Sequence, residues 1–162
     1  MAEQSRGRPW LVPVATLRRH PGSTHDAEIS AVIDELAITD SWVPRGVPVS
    51  FDGTIGAVLG GLTVKGLVRA PFEGTCRRCL GRAAGELVAV VDEVCTDDPE
   101  PDYGYGITGD FLDLEPIVHD ACILELPLVP LCQDDCQGLC PECGVNRNFE
   151  TCSCEAPDPR IE

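Results

Sequence analysis

The sequence lacks any long apolar segment. Its 162 residues contain no run of the roughly eighteen apolar residues that a membrane-spanning helix needs. The first apolar run, residues 10–17, is broken by Pro13, is followed by Arg18-Arg19 and precedes no cleavage site of small residues. It therefore differs from a secretory signal. We expect a cytoplasmic protein that makes no contact with a membrane.

The sequence also lacks the common signatures of catalysis. It has no P-loop, no dinucleotide-binding fingerprint and no H-E-x-x-H motif. Its histidines, His20, His25 and His119, are scattered along the chain. His119-Asp120 lies beside Cys122, but no second acid, oxyanion-hole glycine motif or nucleophile elbow accompanies the pair. We therefore predict that the protein is not an enzyme and has no small-molecule substrate.

Basic residues are nearly absent from the second half of the chain. Residues 1–82 carry ten Lys and Arg against eight Asp and Glu, a formal net charge of +2. Residues 83–162 carry two basic residues against nineteen acidic ones, a net charge of −17. This acidic half would repel phosphate groups and attract a basic protein. It does not suit sequence-independent binding of nucleic acid, because that mode depends on Lys and Arg.

Cysteine, by contrast, is abundant. Six of the ten cysteines lie in residues 131–162, in the order C-x3-C-x3-C-P-E-C-G-x7-C-x-C; they are Cys132, Cys136, Cys140, Cys143, Cys152 and Cys154. Cys140-Pro141-Glu142-Cys143-Gly144 has the form of a zinc knuckle. Pro141 stiffens the turn, and Gly144 can adopt the positive φ that turns backbone N–H groups towards the sulfurs. Because Zn²⁺ prefers four N or S ligands in a tetrahedron, this stretch predicts a structural zinc site.

Three other uses of these thiols stay open: disulfides, an iron–sulfur cluster and free thiols. Disulfides would suit a secreted chain, and neither of the common ferredoxin spacings is present. We therefore expect one tightly bound Zn²⁺ held by Cys140, Cys143 and two of the other four cysteines of this stretch. Cys152 and Cys154 are slightly preferred, because the eight residues between Cys143 and Cys152 can close a short ribbon.

A second cysteine pair lies upstream, in Cys76-Arg77-Arg78-Cys79. The simplest interpretation is a hairpin tip with solvated arginines, which leaves the pair unnecessary for the metal. One alternative is a metal site shared with the C-terminal sulfurs. Another is a contact surface for RNA or a partner protein, since guanidinium groups bind phosphate bidentately. The arginines of this candidate surface are Arg69, Arg77, Arg78 and Arg82.

The rest of the pattern predicts a β-rich α+β fold. Apolar residues alternate over residues 47–72, with Gly60-Gly61 as a hairpin turn, and continue in residues 87–94. We predict an antiparallel, barrel-like β meander over about residues 47–95. Residues 9–16 predict a first strand, and residues 27–36 have helical spacing, although a strand is nearly as favoured. One C-terminal amphipathic helix is predicted at about residues 114–126, capped by Asp113 and stopped by Pro127.

Two units follow from this pattern. Residues 1–130 form a β-rich core, and residues 131–162 form a Cys-rich zinc-knuckle segment packed on the core or appended to it. Within the core, residues 96–110 are rich in Asp, Pro and Gly and cannot bury enough apolar surface to order themselves, so we expect a mobile acidic loop. Cys95 and Cys122 are expected to be small buried hydrophobic residues.

Taken together, these motifs resemble the YceD family, the large ribosomal RNA subunit accumulation proteins. The resemblance depends on Cys76-Arg77-Arg78-Cys79-Leu80 after a meander, an acidic insert, Phe111-Leu112-Asp113-Leu114-Glu115-Pro116, Leu126-Pro127-Leu128 and the cysteine pattern from Cys132 to Cys154. The turn Arg18-Arg19-His20-Pro21-Gly22 resembles the actinobacterial branch. Family members commonly have Asn-Leu-Asn after the knuckle, where this chain has Asn146-Arg147-Asn148. The resemblance implies a non-enzymatic factor that supports synthesis, processing or stability of 23S rRNA.

Two hypotheses for function follow. The first is a ribosome-biogenesis factor that acts through a basic partner, either a ribosomal protein or an rRNA-processing protein, and is favoured by the acidic half. The second is a module that binds rRNA directly through the arginine surface. Salt dependence distinguishes them, because direct phosphate contacts make the affinity fall steeply with salt concentration.

Overall fold

The computed structural model describes residues 7–99 and 104–154. Its strands are β1 (Leu11–Pro13), β2 (Thr24–Ala31), β3 (Ser41–Trp42), β4 (Val49–Val58), β5 (Gly61–Thr75), β6 (Arg82–Thr96), β7 (Tyr105–Thr108) and β8 (Phe111–Asp113). Two helices complete the elements of these residues, α1 (Ala15–Arg18) and α2 (Glu115–Glu125). The strands form one curled sheet in the order β1-β8-β7-β6-β5-β4-β2, and β3 pairs with β5.

The centre of the sheet is the predicted meander. β4 and β5 form a two-residue hairpin, in which Val58 pairs with Gly61 and Gly60 supplies the positive φ of +83°. β5 and β6 pair antiparallel along their whole length, from Gly61 opposite Thr96 to Thr75 opposite Arg82. Alternate side chains of these strands are buried in one core, which confirms the β-rich prediction.

The sheet is mixed, which corrects the prediction of a purely antiparallel meander. β7 pairs in parallel with the end of β6, with Cys95 opposite Tyr105 and Thr96 opposite Gly106. The acidic connection after Thr96 is too long for a tight hairpin turn, so the chain crosses over before it re-enters the sheet. Part of the predicted acidic loop is therefore strand, and Asp97 accepts hydrogen bonds of 2.6 Å from Arg18. Residues 100–103 of that loop lie outside the described residues.

The segment with helical spacing near residue 30 is a strand. β2 pairs with β4 at eight positions, from Thr24 opposite Gly56 to Ala31 opposite Val49. Pairing with a long neighbour outweighs a weak helical pattern here, because local propensity contributes little against tertiary contacts. The first predicted strand is also shorter than expected, since the chain turns into α1 immediately after β1.

α2 carries the chain towards the Cys-rich C-terminal segment. It matches the predicted C-terminal helix, with Pro116 in its first turn and Ile117, Val118 and Cys122 buried in the core. After it, the Ser41 hydroxyl donates a 2.9 Å hydrogen bond to the Pro127 carbonyl. Ser41 itself pairs with Gly74 near the end of β5, so the next residues pass beside the tip of the β5–β6 hairpin. None of the described helices is long and apolar enough to span a membrane.

Candidate metal centre

Four cysteine sulfurs meet where the tip of the β5–β6 hairpin contacts the segment after α2. They belong to Cys76, Cys79, Cys132 and Cys136, and they all lie within 4.8 Å of one another. The Sγ atoms of Cys76 and Cys136 are 3.8 Å apart, and those of Cys79 and Cys132 are 3.6 Å apart. With Zn–S bonds of about 2.3 Å, the sulfurs of a tetrahedral site are about 3.8 Å apart. The spacing of this first group therefore fits Zn²⁺.

A second group lies within the C-terminal segment itself. The sulfurs of Cys140, Cys143, Cys152 and Cys154 also lie within 4.8 Å of one another. The surroundings of the two groups differ. Three cysteines of the first group are buried and pack with Ala83, Leu131 and Leu139, whereas only Cys140 of the second group is buried. The first group is thus part of the protein interior, and the second lies at the surface.

Both groups are built on the same backbone turn. In the first, Leu80 N–H donates to the Cys76 carbonyl at 2.9 Å, and Cys76 N–H donates to the Gly81 carbonyl at 2.7 Å. In the second, Gly144 N–H donates to the Cys140 carbonyl at 2.9 Å, and Cys140 N–H donates to the Val145 carbonyl at 2.8 Å. The residue after the second cysteine has positive φ in each turn, +58° for Leu80 and +72° for Gly144. The upstream pair is therefore a second knuckle.

The sequence predicts a single metal site, whereas the structure places eight cysteines in two separate groups of four. Cys140 and Cys143 lie with Cys152 and Cys154, as the ribbon spacing favoured. Cys132 and Cys136 lie instead with Cys76 and Cys79, so the simplest interpretation of that pair, a hairpin tip unnecessary for the metal, is wrong. All ten cysteines are free of disulfides. The structure thus offers two four-sulfur sites rather than one.

Backbone N–H groups favour the thiolate form of the first cysteine of each knuckle. Burial alone would raise the pKa of Cys76, but hydrogen bonds from the backbone of Cys79, Cys132 and Arg78 lower that pKa to about 6. Hydrogen bonds from the backbone of Cys143 and Glu142 similarly lower the pKa of Cys140 to about 6. These hydrogen bonds stabilise the thiolate form of Cys76 and Cys140, which is the form that binds a metal ion.

Other sulfurs of the two groups keep their protons. Burial and hydrogen bonding with Cys136 raise the pKa of Cys132 to about 12. A hydrogen bond with Cys143, together with burial, raises the pKa of Cys154 to about 12. Neighbouring thiolates add to both shifts, because like charges at close range disfavour a further charge. A metal ion would remove this penalty and displace the protons.

Arg78 links the hairpin tip to the backbone around Cys136 by hydrogen bonds that do not involve the sulfurs. Its guanidinium donates hydrogen bonds to the carbonyls of Asp134 (3.2 Å) and Cys136 (3.1 Å). Its own carbonyl accepts the N–H of Leu139 at 3.0 Å. A Cβ on Gly138 would lie only 2.9 Å from that carbonyl, so glycine allows the close approach. The sequence indicated Arg78 as a partner or RNA contact and did not indicate this role.

Asn148 links the second knuckle to the first group. Its side-chain N–H group lies 3.3 Å from Cys136 Sγ, and its side-chain oxygen accepts the backbone N–H of Gln137 at 2.8 Å. Asn146 orients it, accepting the backbone N–H at 3.0 Å and the side-chain N–H at 2.7 Å. Such outer contacts orient metal ligands. The only signal in the sequence was the Asn-x-Asn pattern after the knuckle.

The candidate arginine surface is largely engaged in contacts within the chain. Arg77 lies 2.9 Å from Asp40, and Arg82 lies 2.6 Å from Glu73. Arg69 is opposite Val88, six residues along β5 from the Thr75–Arg82 pair, which corresponds to about 20 Å of strand. The structure therefore does not bring the four arginines together as one patch.

The remaining cysteines and histidines lie apart from the two groups. Cys95 and Cys122 are fully buried, and burial raises the pKa of each to about 11. His119 contacts Asp120 at 3.1 Å, and the Tyr105 hydroxyl donates to the same carboxylate at 3.0 Å. These contacts orient Asp120 and bring no nucleophile to it.

Comparison with known proteins gives a family. The family described as "Large ribosomal RNA subunit accumulation protein YceD" matches residues 64–162, a range that includes all cysteines of both groups. Uncharacterized proteins of Mycobacterium tuberculosis and Mycobacterium bovis are 34% identical over 154 residues, which is 89% of this chain and 73% of theirs. An uncharacterized protein of Mycobacterium leprae is 28% identical over 152 residues, 85% of this chain and 67% of its own. No solved structure matches the chain. The chain belongs to the YceD family, with actinobacterial relatives.

Proposed function

We propose that this protein supports the accumulation of 23S rRNA as a non-enzymatic factor that acts through a basic protein partner. We further propose that two structural Zn²⁺ ions hold its C-terminal segment in place. The family is described as an accumulation factor for large-subunit rRNA, which supports the ribosomal role and a cytoplasmic location. The division at residue 130 into core and Cys-rich segment is part of the same proposal.

The zinc proposal is supported by the donor sets. A site with four thiolates leaves no open position for substrate or water, which is typical of structural rather than catalytic zinc. Cys76, Cys79, Cys132 and Cys136 would fasten the hairpin tip to the segment after α2. Cys140, Cys143, Cys152 and Cys154 would close the C-terminal segment on itself. Elemental analysis of reduced protein purified without chelator should find two zinc ions per chain, and iron in place of zinc would contradict this assignment.

The partner proposal depends mainly on how charge is distributed. Arg77 and Arg82 already face carboxylates, so an RNA phosphate would have to displace these ion pairs. Around the two sulfur groups, by contrast, four exposed carboxylates face solvent: Asp134, Asp135, Glu142 and Glu150. Such a surface attracts a Lys- and Arg-rich protein over a distance of about a Debye length and repels rRNA. A ribosomal protein or an rRNA-processing protein has that character.

The test compares two sets of charge-neutralising variants in purification from ribosome-containing extracts, with and without RNase. One set carries Asn or Gln at the four carboxylates around the sulfur groups. The matched set carries the same changes at four exposed carboxylates in the N-terminal third of the chain: Asp26, Glu28, Asp34 and Asp52. We expect a basic partner protein to co-purify even after RNase treatment, and to be lost with the first set of variants but retained with the matched set. The affinity of the first set for this partner should also depend less on salt concentration.

Direct binding of rRNA is the competing outcome of the same experiment. In that case RNase would release the large-subunit precursors, and neutralising the carboxylates would leave co-purification unchanged. Arg77→Ala with Arg82→Ala would then reduce it. This pair avoids Arg78, whose loss would disturb the first sulfur group.

A further inference from the structure

The two sulfur groups share one short stretch of backbone. Cys136 belongs to the first group and Cys140 to the second, and only three residues separate them. Leu139, one of the three, donates its N–H to the Arg78 carbonyl at 3.0 Å and forms an antiparallel bridge with Asn146. The same stretch is therefore attached to the hairpin tip on one side and to the second knuckle on the other.

A short ladder holds the residues after the second knuckle against this stretch. Cys140 N–H donates to the Val145 carbonyl at 2.8 Å, and Arg147 N–H donates to the Gly138 carbonyl at 2.9 Å. The next residue along the chain is Asn148, whose side chain contacts a sulfur of the first group. The position of that side chain therefore depends on the ladder.

Packing contributes little to the order of this ladder. Among the described residues, the two hydrophobic clusters include no side chain from residues 141–154. Phe149, the largest apolar side chain of that range, is 84% exposed. A two-stranded ladder without an apolar core is only marginally stable in water. Metal binding supplies the free energy of folding in such segments, so the ladder depends on a metal ion at the second group.

We propose that the two groups bind Zn²⁺ cooperatively and that Asn148 is the positioning residue that couples them. Zinc at the second group would fix the ladder and place the Asn148 side chain beside the first group. There its N–H group donates to Cys136 Sγ at 3.3 Å, and its oxygen accepts the Gln137 N–H at 2.8 Å. The proposal rests on the two zinc sites of the proposed function and adds that they are not independent.

The size of the coupling follows from these two hydrogen bonds. Outer contacts to a metal ligand typically change metal affinity by about ten- to a hundredfold. We expect about tenfold, the lower end, because the first group keeps its buried surroundings and the Arg78 contact to the Cys136 carbonyl when the second group is empty. Linkage requires the same factor in the opposite direction.

Electrostatics alone predicts the opposite sign. Four thiolates outweigh the charge of one Zn²⁺, so each filled site would be an anion. Two anions repel each other, and filling one group would then weaken the other. The sign of the coupling therefore distinguishes the contact through Asn148 from a purely electrostatic effect.

The test measures the zinc affinity of each group in the full-length protein by NMR, with free zinc set by a chelator. Backbone N–H signals of residues 76–81 report the first group, and those of residues 140–145 report the second. Cys152→Ser with Cys154→Ser removes half of the ligands of the second group and leaves every residue of the ladder unchanged. Slow hydrogen exchange in β5 and β6 confirms that the sheet is folded in each variant.

We expect the first group of this variant to bind Zn²⁺ about tenfold more weakly than in the unaltered protein. Asn148→Ala should weaken the first group at least as much, but should cause no further loss when combined with the Cys152 and Cys154 changes. Phe149→Ala alters an exposed neighbouring side chain and should leave both affinities unchanged. Only a contact that acts through Asn148 gives this non-additive result.

The reciprocal variant, Cys76→Ser with Cys79→Ser, should weaken the second group by the same factor. Equal or tighter zinc binding by the first group when the second is empty would overturn the proposal and leave two zinc sites in place. Losses that add in the combined variant would exclude Asn148 as the coupling residue. Absence of zinc from both groups of the unaltered protein would instead refute the zinc sites themselves, so the two proposals can be told apart.

Discussion

Replacing Cys76 and Cys79 by serine should remove one of two zinc ions and release the C-terminal segment from the β5–β6 hairpin. These two residues supply half of the first sulfur group and lie 53 to 60 residues from the cysteines that complete it. The change leaves Cys140, Cys143, Cys152 and Cys154 intact. The variant therefore tests whether the sulfurs work as two separate groups.

The expected loss in free energy of unfolding follows from the loop that a metal ion bound to the first group would close. Chain-entropy arguments developed for disulfides give about 4 kcal/mol for a cross-link spanning roughly 60 residues. The nine-residue separation of Cys143 and Cys152 gives about 2.5 kcal/mol by the same relation. Domains of this size have a free energy of unfolding of about 5–15 kcal/mol, so losing the first cross-link would remove a large fraction of it.

The matched control is Cys140→Ser with Cys143→Ser, which removes the other knuckle. Elemental analysis should find one zinc in either variant. The N–H groups of Arg77 and Leu139 distinguish the two, because they bond across the interface to the carbonyls of Pro130 and Arg78 at 3.0 Å each. Their hydrogen exchange should accelerate in the Cys76/Cys79 variant and change little in the control. Two zinc ions in the first variant, or none in the control, would refute the division into two groups.

Three further predictions concern single residues near the sulfurs. Gly138→Ala should destabilise more than Gly144→Ala in urea unfolding: both have φ of +72°, but only the Cβ at residue 138 meets the Arg78 carbonyl, at 2.9 Å. The reverse order would contradict the proposed close approach. Leu80→Gly should stabilise by up to about 1 kcal/mol, because Leu80 has φ of +58° and its side chain is 66% exposed; a loss of stability would show an unrecognised contact. Asn148→Ala should lower zinc affinity at the first group by about ten- to a hundredfold, measured by competition with a chromophoric chelator, while Phe149→Ala, at an exposed neighbouring side chain, should not.

The parts of the fold that the sequence predicted are those with local causes. Gly60 supplies the positive φ of the tight β4–β5 turn, and alternation over the flanking residues specifies which side chains are buried. α2 follows from apolar spacing and from Pro116 and Pro127 at its ends. β2 was ambiguous because its partner, β4, is not visible in its own residues.

The grouping of the sulfurs shows why the site was harder to predict than the fold. The knuckle at Cys140 and Cys143 is local, so its spacing identified it. Cys132 and Cys136 group with Cys76 and Cys79 because α2 ends near the tip of the β5–β6 hairpin. The spacing of the cysteines along the sequence gives no information about that position. Leu80 also concealed the first knuckle, because it occupies the positive-φ position that glycine marks in the second.

The wide separation of the first group in sequence has a consequence for folding during synthesis. The β5–β6 hairpin is complete once residue 96 has left the ribosome, but Cys76 and Cys79 must wait for Cys132 and Cys136, about forty residues later. At about 5–20 residues per second this interval lasts several seconds, whereas a hairpin forms in microseconds. During that time two thiols at an exposed tip face the surroundings without their partners. If the proposed zinc ions bind there, the supply of zinc would act on the last step of maturation rather than on the formation of the sheet.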